Sequence, residues 1–181
     1  MPRIIGGTER SRILTAPEGA DTRPTMDRVR ENLYNILQGR VRGANVLDLF
    51  AGSGAMGLEA ISRGASSAVL VDHSPRAAQA IRTNIRSLRY EGVCQFLQQD
   101  WQPACKTLQE SGKVFSLIFL DPPYAMNDLT SVMGALSSLV TEQGMVVVEH
   151  EAHRIPLIGD GWEVVQQRRY GIAGLIFLTR G

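Results

Sequence analysis

Apolar positions divide most of the chain into two kinds of segment. From residue 45 onward, short apolar runs alternate with stretches whose apolar residues recur every three to four positions, the spacing of an amphipathic helix. The apolar runs predict strands at 45–50, 67–72, 93–98, 114–121 and 145–150. The stretches between them predict helices at 55–63, 75–88, 101–111 and 129–139. This alternation is typical of a parallel sheet covered by helices.

The carboxyl-terminal part departs from the alternation. It holds two more predicted strands, 162–168 and 172–179, separated only by Arg169-Tyr170-Gly171. So short a connection cannot carry a parallel crossover, so these strands should pair antiparallel. We therefore expect an α/β fold with an open, twisted, seven-stranded sheet, mostly parallel with one antiparallel strand. Ligands should bind at the carboxyl ends of its strands.

The amino end precedes this pattern. Residues 3–7 and 12–17 are short extended runs around a polar turn, which predicts a β-hairpin. Thr25 is expected to cap a helix over 26–38. Its apolar face would carry Val29, Leu33, Ile36 and Leu37. We therefore predict a hairpin extension at 1–24 and a larger domain at 25–181.

Composition is that of an ordinary globular protein. The 181 residues are 44% hydrophobic and 20% charged, which argues against disorder. No run approaches the ~20 apolar residues of a membrane span, and the first residues lack the apolar stretch of a signal peptide. Cys94 and Cys105 show neither a disulfide framework nor metal-ligand spacing. We expect a cytoplasmic, monomeric protein with reduced thiols and no metal.

The net charge of +1 is unevenly distributed. Residues 1–42 hold eight Arg and five acidic residues, whereas residues 43–181 hold eleven basic and thirteen acidic residues. Arg can donate two parallel hydrogen bonds to a phosphate, so the amino end is a candidate nucleic-acid contact. On charge alone, a solvated surface is an equally good explanation. The candidate residues for contacts with a nucleic-acid backbone are Arg3, Arg10, Arg12, Arg23 and Arg28.

A glycine-rich segment, Gly52-Ser53-Gly54-Ala55-Met56-Gly57, connects the first long strand to a helix. Glycines let the backbone approach a ligand, and free amides at the helix start would face it. A tight turn without a ligand would give the same pattern. Asp72 ends the next strand and can accept both hydroxyls of a ribose. Asp48 lies near where a pyrophosphate would rest, and its carboxylate would repel phosphate but attract an amino group.

The most specific segment is Asp121-Pro122-Pro123-Tyr124, at the end of an apolar strand. The prolines hold the turn rigid, and Tyr124 offers a ring on which a flat base can stack. An exocyclic amine on a base is a poor nucleophile because its lone pair is delocalised into the ring. Two acceptors, the Asp121 carboxylate and the Pro122 carbonyl, can hold its hydrogens and favour a pyramidal nitrogen that attacks an electrophilic methyl group. A plain strand-ending turn is the alternative.

These motifs resemble a known family. The segment 48–54, Asp-Leu-Phe-Ala-Gly-Ser-Gly, resembles the first motif of class I S-adenosylmethionine methyltransferases, and Asp-Pro-Pro-Tyr marks their amino-methylating members. Segments 3–12 and 22–37 are similar to the amino end of the bacterial 16S ribosomal RNA guanine-N2 methyltransferases, which commonly have glycine where this chain has Ser11. The resemblance implies an S-adenosylmethionine-dependent enzyme that methylates a guanine N2 amine of small-subunit ribosomal RNA, within partly assembled particles.

The resemblance also implies the residues that bind the cofactor. Asp100 stands where the family holds the adenine amino group, although capping the helix that starts at Trp101 is an equally good explanation. His73 either lines the adenosine pocket or lies in a surface loop. The implied cofactor-binding set is Asp48, Phe50, Gly52, Gly54, Asp72, His73, Asp100 and Trp101.

Several alternatives remain open. An amino-methyltransferase for adenine or cytosine would share the tetrapeptide, and a glutamine methyltransferase is disfavoured by Asp121. A nicotinamide oxidoreductase is disfavoured by Asp48, and a non-catalytic RNA-binding module would not need an intact tetrapeptide. The segment 149–153, Glu-His-Glu-Ala-His, looks metal-binding but lacks the required spacing. Asn84 is expected on a solvated helix face.

Overall fold

The computed structural model describes residues 1–19 and 24–181, and of residues 24 and 25 the backbone only. Its centre is a seven-stranded sheet with the order β3-β2-β1-β4-β5-β7-β6. The strands are β1 (Asn45–Asp48), β2 (Ser67–Val71), β3 (Cys94–Leu97), β4 (Phe115–Leu120), β5 (Val140–Glu151), β6 (Trp162–Tyr170) and β7 (Ala173–Arg180).

Strand directions confirm the predicted fold class. Neighbouring strands from β3 to β5 run parallel, and β7 runs antiparallel to both β5 and β6. The chain builds the sheet outward from β1 in one direction and from β4 in the other. The adjacent carboxyl ends of β1 and β4 therefore flank the point at which the strand order reverses, where ligands bind in open α/β sheets.

Helices cover both faces of the sheet. The described residues form α1 (Pro24–Ile36), α2 (Ala55–Ser62), α3 (Pro75–Leu88), α4 (Trp101–Glu110) and α5 (Thr130–Leu136). The bounds of α3 match the prediction, and Ser74 caps this helix by accepting a hydrogen bond from the Ala77 N–H. None of these helices has the length and apolar character that a membrane crossing requires.

Two predicted element starts were wrong. Helix α1 begins at Pro24, so Thr25 lies inside the helix rather than at its cap. Proline suits this first position because its missing N–H has no helical partner there and its φ is already helical. Strand β5 begins at Val140 rather than at residue 145, because Val140 pairs with Phe115 before a break in the register.

Alternate residues of the strands fill two separate cores. On β4, Leu117 and Phe119 pack on the face covered by α1, α2 and α3. Ile118 and Leu120 pack on the opposite face with α4 and α5. Because side chains alternate along a strand, Asp121 continues the row of Leu117 and Phe119 on the α1 side.

The amino end is a hairpin closed by one antiparallel bridge between Arg3 and Ile13. Its two arms pair over fewer residues than the strands predicted at 3–7 and 12–17, because part of the hairpin backbone forms hydrogen bonds to α2 instead. The Thr8 N–H donates to the Ser62 carbonyl at 2.8 Å. A Cβ at Gly7 would lie 2.0 Å from that same carbonyl oxygen, so only glycine fits there. The division into an extension and a separate domain stays a prediction.

Candidate active site

Two cavities open at the carboxyl ends of the parallel strands. The first, of about 730 Å³, lies between the amino-terminal hairpin, α1 and the glycine-rich loop, and it reaches Asp48, Asp121 and Glu149. The second, of about 370 Å³, is lined by Asp72, His73, Gln99, Asp100, Trp101 and the segment 121–124. Phe50, Gly52 and Asp121 line both cavities. The two cavities therefore meet where β1 and β4 end.

Asp72 joins two loops at the second cavity. Its Oδ2 accepts a hydrogen bond from the Gly52 N–H at 2.9 Å, and its Oδ1 accepts one from the Ser74 N–H at 2.9 Å. The carboxylate therefore holds the glycine-rich loop after β1 against the loop after β2. An ionised carboxylate has about four acceptor positions, so further donors can still bind it.

Asp48 is buried at the end of β1, and its Oδ2 accepts the Gly57 N–H at 3.0 Å. Burial raises the pKa of Asp48 to about 7, and the charge of Asp72 contributes in the same direction, whereas the hydrogen bond from Gly57 opposes it. A Cβ at Gly57 would lie 2.2 Å from Leu70 Cδ2, so this glycine lets α2 approach the sheet. That approach places the Gly57 N–H against the Asp48 carboxylate.

The far wall of the second cavity follows β3. Asp100 accepts the Trp101 N–H at 2.7 Å and caps α4, and it also lines the cavity. Both explanations considered for Asp100 are therefore compatible with its position. The Oε1 atom of Gln99 is buried and has no hydrogen-bond partner in the described part of the chain. His73 is exposed at the rim of the same cavity.

The segment 121–124 leaves β4 between the two cavities. The Asp121 residue is exposed to both cavities, yet the protein packed around its carboxyl raises its pKa well above the usual Asp value. The charges of Glu149 and, less strongly, Asp48 add to this rise. Pro122 is buried, whereas the Tyr124 side chain is exposed at the second cavity. The Pro123 carbonyl accepts the Met126 N–H at 2.8 Å, which closes the turn.

Sequence reasoning missed Glu149 as a residue of this site and assigned it only to a metal-like segment. It lines the first cavity beside Asp121. Among the described residues, no group of three or more His, Cys, Asp and Glu is arranged to hold a metal ion. One sequence signal could have identified Glu149: it is a charged residue directly after the apolar run of β5, the strand next to β4.

The predicted RNA-binding arginines occupy different settings. Arg3 lines the first cavity, is 59% exposed and donates to Asp27 at 3.3 Å. Arg12 donates to the Ser87 carbonyl at 2.7 Å, so it also holds the hairpin to α3. Arg10 and Arg28 are exposed and form no side-chain hydrogen bond or ion pair with the described residues. Arg23 lies outside the described residues.

Arg30, which sequence reasoning did not select, anchors the amino end beside the first cavity. It is buried, and its Nε donates to Glu59 at 2.8 Å. A guanidinium nitrogen of Arg30 also donates to the Arg3 carbonyl. Glu59 is fully buried and accepts a second charged hydrogen bond from Arg63 at 2.8 Å. The hairpin is therefore fixed to α1 and α2 through a buried ion network.

Asn84 was wrongly expected on a solvated helix face. It is 1% exposed, and its side chain accepts the Thr15 N–H at 2.7 Å. Its amide nitrogen donates to the carbonyls of Thr15 and Ser53, each at 2.9 Å. Asn84 therefore ties α3 to both the amino end and the glycine-rich loop. Its burial depends on the amino end covering α3, which helical periodicity does not reveal.

Ser11, in the hairpin turn, has a φ of 70°. This left-handed conformation favours glycine and is strained for most other residues. The backbone therefore explains why glycine suits this position, where the resembled family commonly has it.

Comparison with known proteins identifies the family. The family model described as "Conserved hypothetical protein 95" matches residues 2–179. The chain belongs to this family. Ribosomal RNA small subunit methyltransferase D of Escherichia coli K12 is 33% identical over 172 residues, which cover 93% of this chain and 85% of that protein. This member of the Conserved hypothetical protein 95 family is thus a relative of that enzyme, as its motifs predicted.

Solved structures agree with this assignment. A hypothetical protein of Thermus thermophilus has a TM-score of 0.82 and 33% identity, and the match covers 100% of both chains. SMU.776, solved in complex with SAH, has a TM-score of 0.73 and 16% identity, covering 87% of this chain and 50% of that one. At 16% identity, the similarity to SMU.776 supports the fold alone. The fold of this Conserved hypothetical protein 95 family member is that of the class I methyltransferases, as predicted.

Proposed function

We propose that this protein transfers a methyl group from S-adenosylmethionine to the exocyclic N2 amine of a guanine in small-subunit (16S) ribosomal RNA. The observation that carries the proposal is the position of Asp121-Pro122-Pro123-Tyr124 at the junction of the two cavities, beside the glycine-rich loop. The relatives named ribosomal RNA small subunit methyltransferase D, in Escherichia coli and Haemophilus influenzae, support ribosomal RNA as the substrate.

The cofactor is S-adenosylmethionine, which supplies an electrophilic methyl group on a sulfonium when bound. The second cavity fits its adenosine part, because Asp72 has acceptor positions left for ribose hydroxyls and Gln99 Oε1 lacks a donor among the described residues. The Asp48 carboxyl at the end of β1 suits the amino group of the methionine part. The proposed binding set is Asp48, Phe50, Gly52, Gly54, Asp72, His73, Asp100 and Trp101.

The segment 121–124 would hold the reacting amine. The Asp121 carboxylate and the Pro122 carbonyl accept its two hydrogens, so that the nitrogen lone pair is free to attack. Tyr124, with its exposed ring, would stack on the base. Because the surrounding protein and the neighbouring carboxylates of Glu149 and Asp48 raise the pKa of Asp121, this carboxylate is a better proton acceptor than an ordinary Asp. It can therefore take the proton that the nitrogen loses on methylation.

The proposed substrate requires an accessible guanine. A paired guanine hides its N2 amine, so the base must be unpaired or flipped out at a cost of about a few kcal/mol. The first cavity lies next to Asp121 and is bordered by the Arg3 side chain of the hairpin. Contacts from Arg3, Arg10, Arg12, Arg23 and Arg28 to phosphates would position the RNA there. We place this reaction in the cytoplasm, on partly assembled particles, with a monomeric enzyme.

The test is methyl transfer in vitro. Purified protein is incubated with labelled S-adenosylmethionine and either small-subunit particles or naked 16S RNA, and the RNA is digested to nucleosides. The expected labelled product is N2-methylguanosine, formed by the parent protein and nearly lost in Asp121→Ala. Label in N6-methyladenosine, in a methylated cytidine, or in protein glutamine would contradict the proposal.

A further inference from the structure

Glu149 lies beside Asp121 at the carboxyl end of the sheet. The parallel register of β4 and β5 pairs Leu120 with Val148, so the next residues of the two strands, Asp121 and Glu149, come side by side. Paired residues of neighbouring strands point to the same face. Both side chains line the first cavity, on the side of the sheet that α1 covers. Glu149 is therefore placed next to the acceptors proposed for the reacting amine.

The Glu149 carboxylate lacks a partner among the described residues. It is half-buried, and it forms no hydrogen bond and no ion pair with any of them. Burial raises the pKa of Glu149, and the charge of Arg30 opposes that rise. The Arg30 guanidinium, however, already donates to Glu59, Asp27 and the Arg3 carbonyl. Removing a carboxylate from water without a donor is costly. A donor on a ligand in the first cavity would compensate for this cost.

The amino bases differ in the ring nitrogen next to the amine. In guanine, N1 beside the N2 amine carries a hydrogen and is a donor. In adenine, N1 beside the N6 amine has a lone pair and is an acceptor, and in cytosine N3 has the same character. An ionised carboxylate is only an acceptor. A carboxylate next to the amine acceptors therefore matches guanine and repels the other two bases.

We propose that Glu149 selects guanine by accepting its N1–H while Asp121 and the Pro122 carbonyl hold the N2 amine. The proposal rests on the guanine-N2 function proposed above and names the residue that determines its specificity. In this arrangement three adjacent acceptors face three adjacent hydrogens of one base edge. Flipped bases are commonly recognised at that edge.

The experiment compares guanine with 2-aminopurine. The RNA is small-subunit RNA assembled by ligation, with either base at the guanine that the parent protein methylates. 2-Aminopurine keeps the N2 amine, but its N1 is an acceptor. The parent protein should prefer guanine by about five- to a hundredfold in kcat/KM, since one good base contact discriminates by about 1–3 kcal/mol.

Variants of Glu149 distinguish a change in base preference from a general loss of activity. In Glu149→Gln, the side-chain amide can donate to N1 of 2-aminopurine, so the preference for guanine should narrow by about ten- to a hundredfold. Glu149→Ala should lower methylation of guanine, and because it removes only the repulsion of the N1 lone pair, it should raise methylation of 2-aminopurine less than Glu149→Gln does. The matched control is Glu142→Gln, an exposed residue near the other end of β5, which should leave both rates unchanged. Cofactor affinity, measured by calorimetry, should be unchanged in all three.

Two results would overturn the assignment of Glu149. One is a parent protein that methylates 2-aminopurine as well as guanine, which needs no variant to observe. The other is a folded Glu149→Gln protein with the parent's preference. Failure of the proposed function is distinguishable, because the parent protein would then form no N2-methylguanosine in native RNA, and the assignment of Glu149 would fall with it.

Discussion

The carboxylate of Asp72 accepts a hydrogen bond from the backbone N–H of Gly52, with 2.9 Å between the two atoms. The same carboxylate accepts the Ser74 N–H, so one side chain orders two loops around the second cavity. The glycine-rich loop is therefore held in place by the residue proposed to bind the cofactor ribose. Such preorganisation lowers the entropic cost of binding.

Asp72→Ala should weaken S-adenosylmethionine binding by roughly ten- to a hundredfold, since hydrogen bonds to a charged group contribute about 1.5–3 kcal/mol. Isothermal titration calorimetry measures this directly. Asp160→Ala, which removes an exposed carboxylate, is the control and should bind normally. Unchanged affinity in Asp72→Ala would refute the assigned role.

Asp121→Ala should lower turnover by at least about a hundredfold, the scale for loss of one positioned polar group in an active site. Cofactor affinity should change little, because the hydrogen bonds between Asp72 and the glycine-rich loop remain. Tyr124→Ala should weaken catalysis, because it removes about 1–3 kcal/mol of base stacking. Tyr124→Phe keeps the ring, so the turnover rate should fall only slightly. Single-turnover rates with ribosomal RNA provide the measurement, and a fully active Asp121→Ala enzyme would rule out the mechanism.

Glu59→Ala should destabilise the fold by about 3–5 kcal/mol, because it removes the buried carboxylate that pairs with both Arg30 and Arg63 and leaves Arg30 with Asp27 as its remaining carboxylate partner among the described residues. The matched control is Glu110→Ala, which removes an exposed pair with Lys106 at 3.9 Å and should cost at most about 1 kcal/mol. Urea unfolding gives both values. Equal stability of the two variants would show that the buried network does not hold the amino end.

Asp48 should make the protein less stable as pH rises. Its pKa is 3.8 in the unfolded reference and about 7 in the fold, so between these values the unfolded chain has lost a proton that the folded chain keeps. Stability therefore falls as pH rises from about 4 to about 7 and levels off above, by a total of about a few kcal/mol. Asp48→Asn should reduce the loss between pH 5 and pH 8 in urea unfolding. A pH dependence identical to that of the parent protein would disprove this role of Asp48.

Arg10 and Arg28 are better tests of RNA contact than Arg12, because Arg12 also bonds the Ser87 carbonyl and its loss would disturb the hairpin. Replacing Arg10 and Arg28 by Ala should weaken RNA binding and flatten its salt dependence by up to about two phosphate contacts. Cofactor affinity and melting temperature should not change. Arg180→Ala, on the last strand, is the control. A double variant with the parent's salt dependence would show that these arginines do not contact RNA.

Local sequence patterns predicted the helices, strands and motifs, but they did not predict the contacts between segments that are distant in the sequence. The helix over Pro75–Leu88 was predicted with its bounds because its cap and its periodicity are local signals. Strand β5 was predicted short because Thr141, Glu142 and Gln143 look like a loop, and pairing with β4 extends it.

The same distinction applies to the site. Residues 121–124 and the glycine-rich loop are contiguous motifs that could be read directly. Glu149 gains its position only from the register between β4 and β5. Likewise, Arg30 and Asn84 are buried only because the amino end folds over α1 and α3.

The decisive measurement is mass spectrometry of nucleosides from 16S ribosomal RNA of cells with and without this protein. We expect one N2-methylguanosine to disappear when the protein is absent and to return with the parent protein but not with Asp121→Ala. An unchanged N2-methylguanosine content, with loss of a methylated adenosine or cytidine instead, would contradict it.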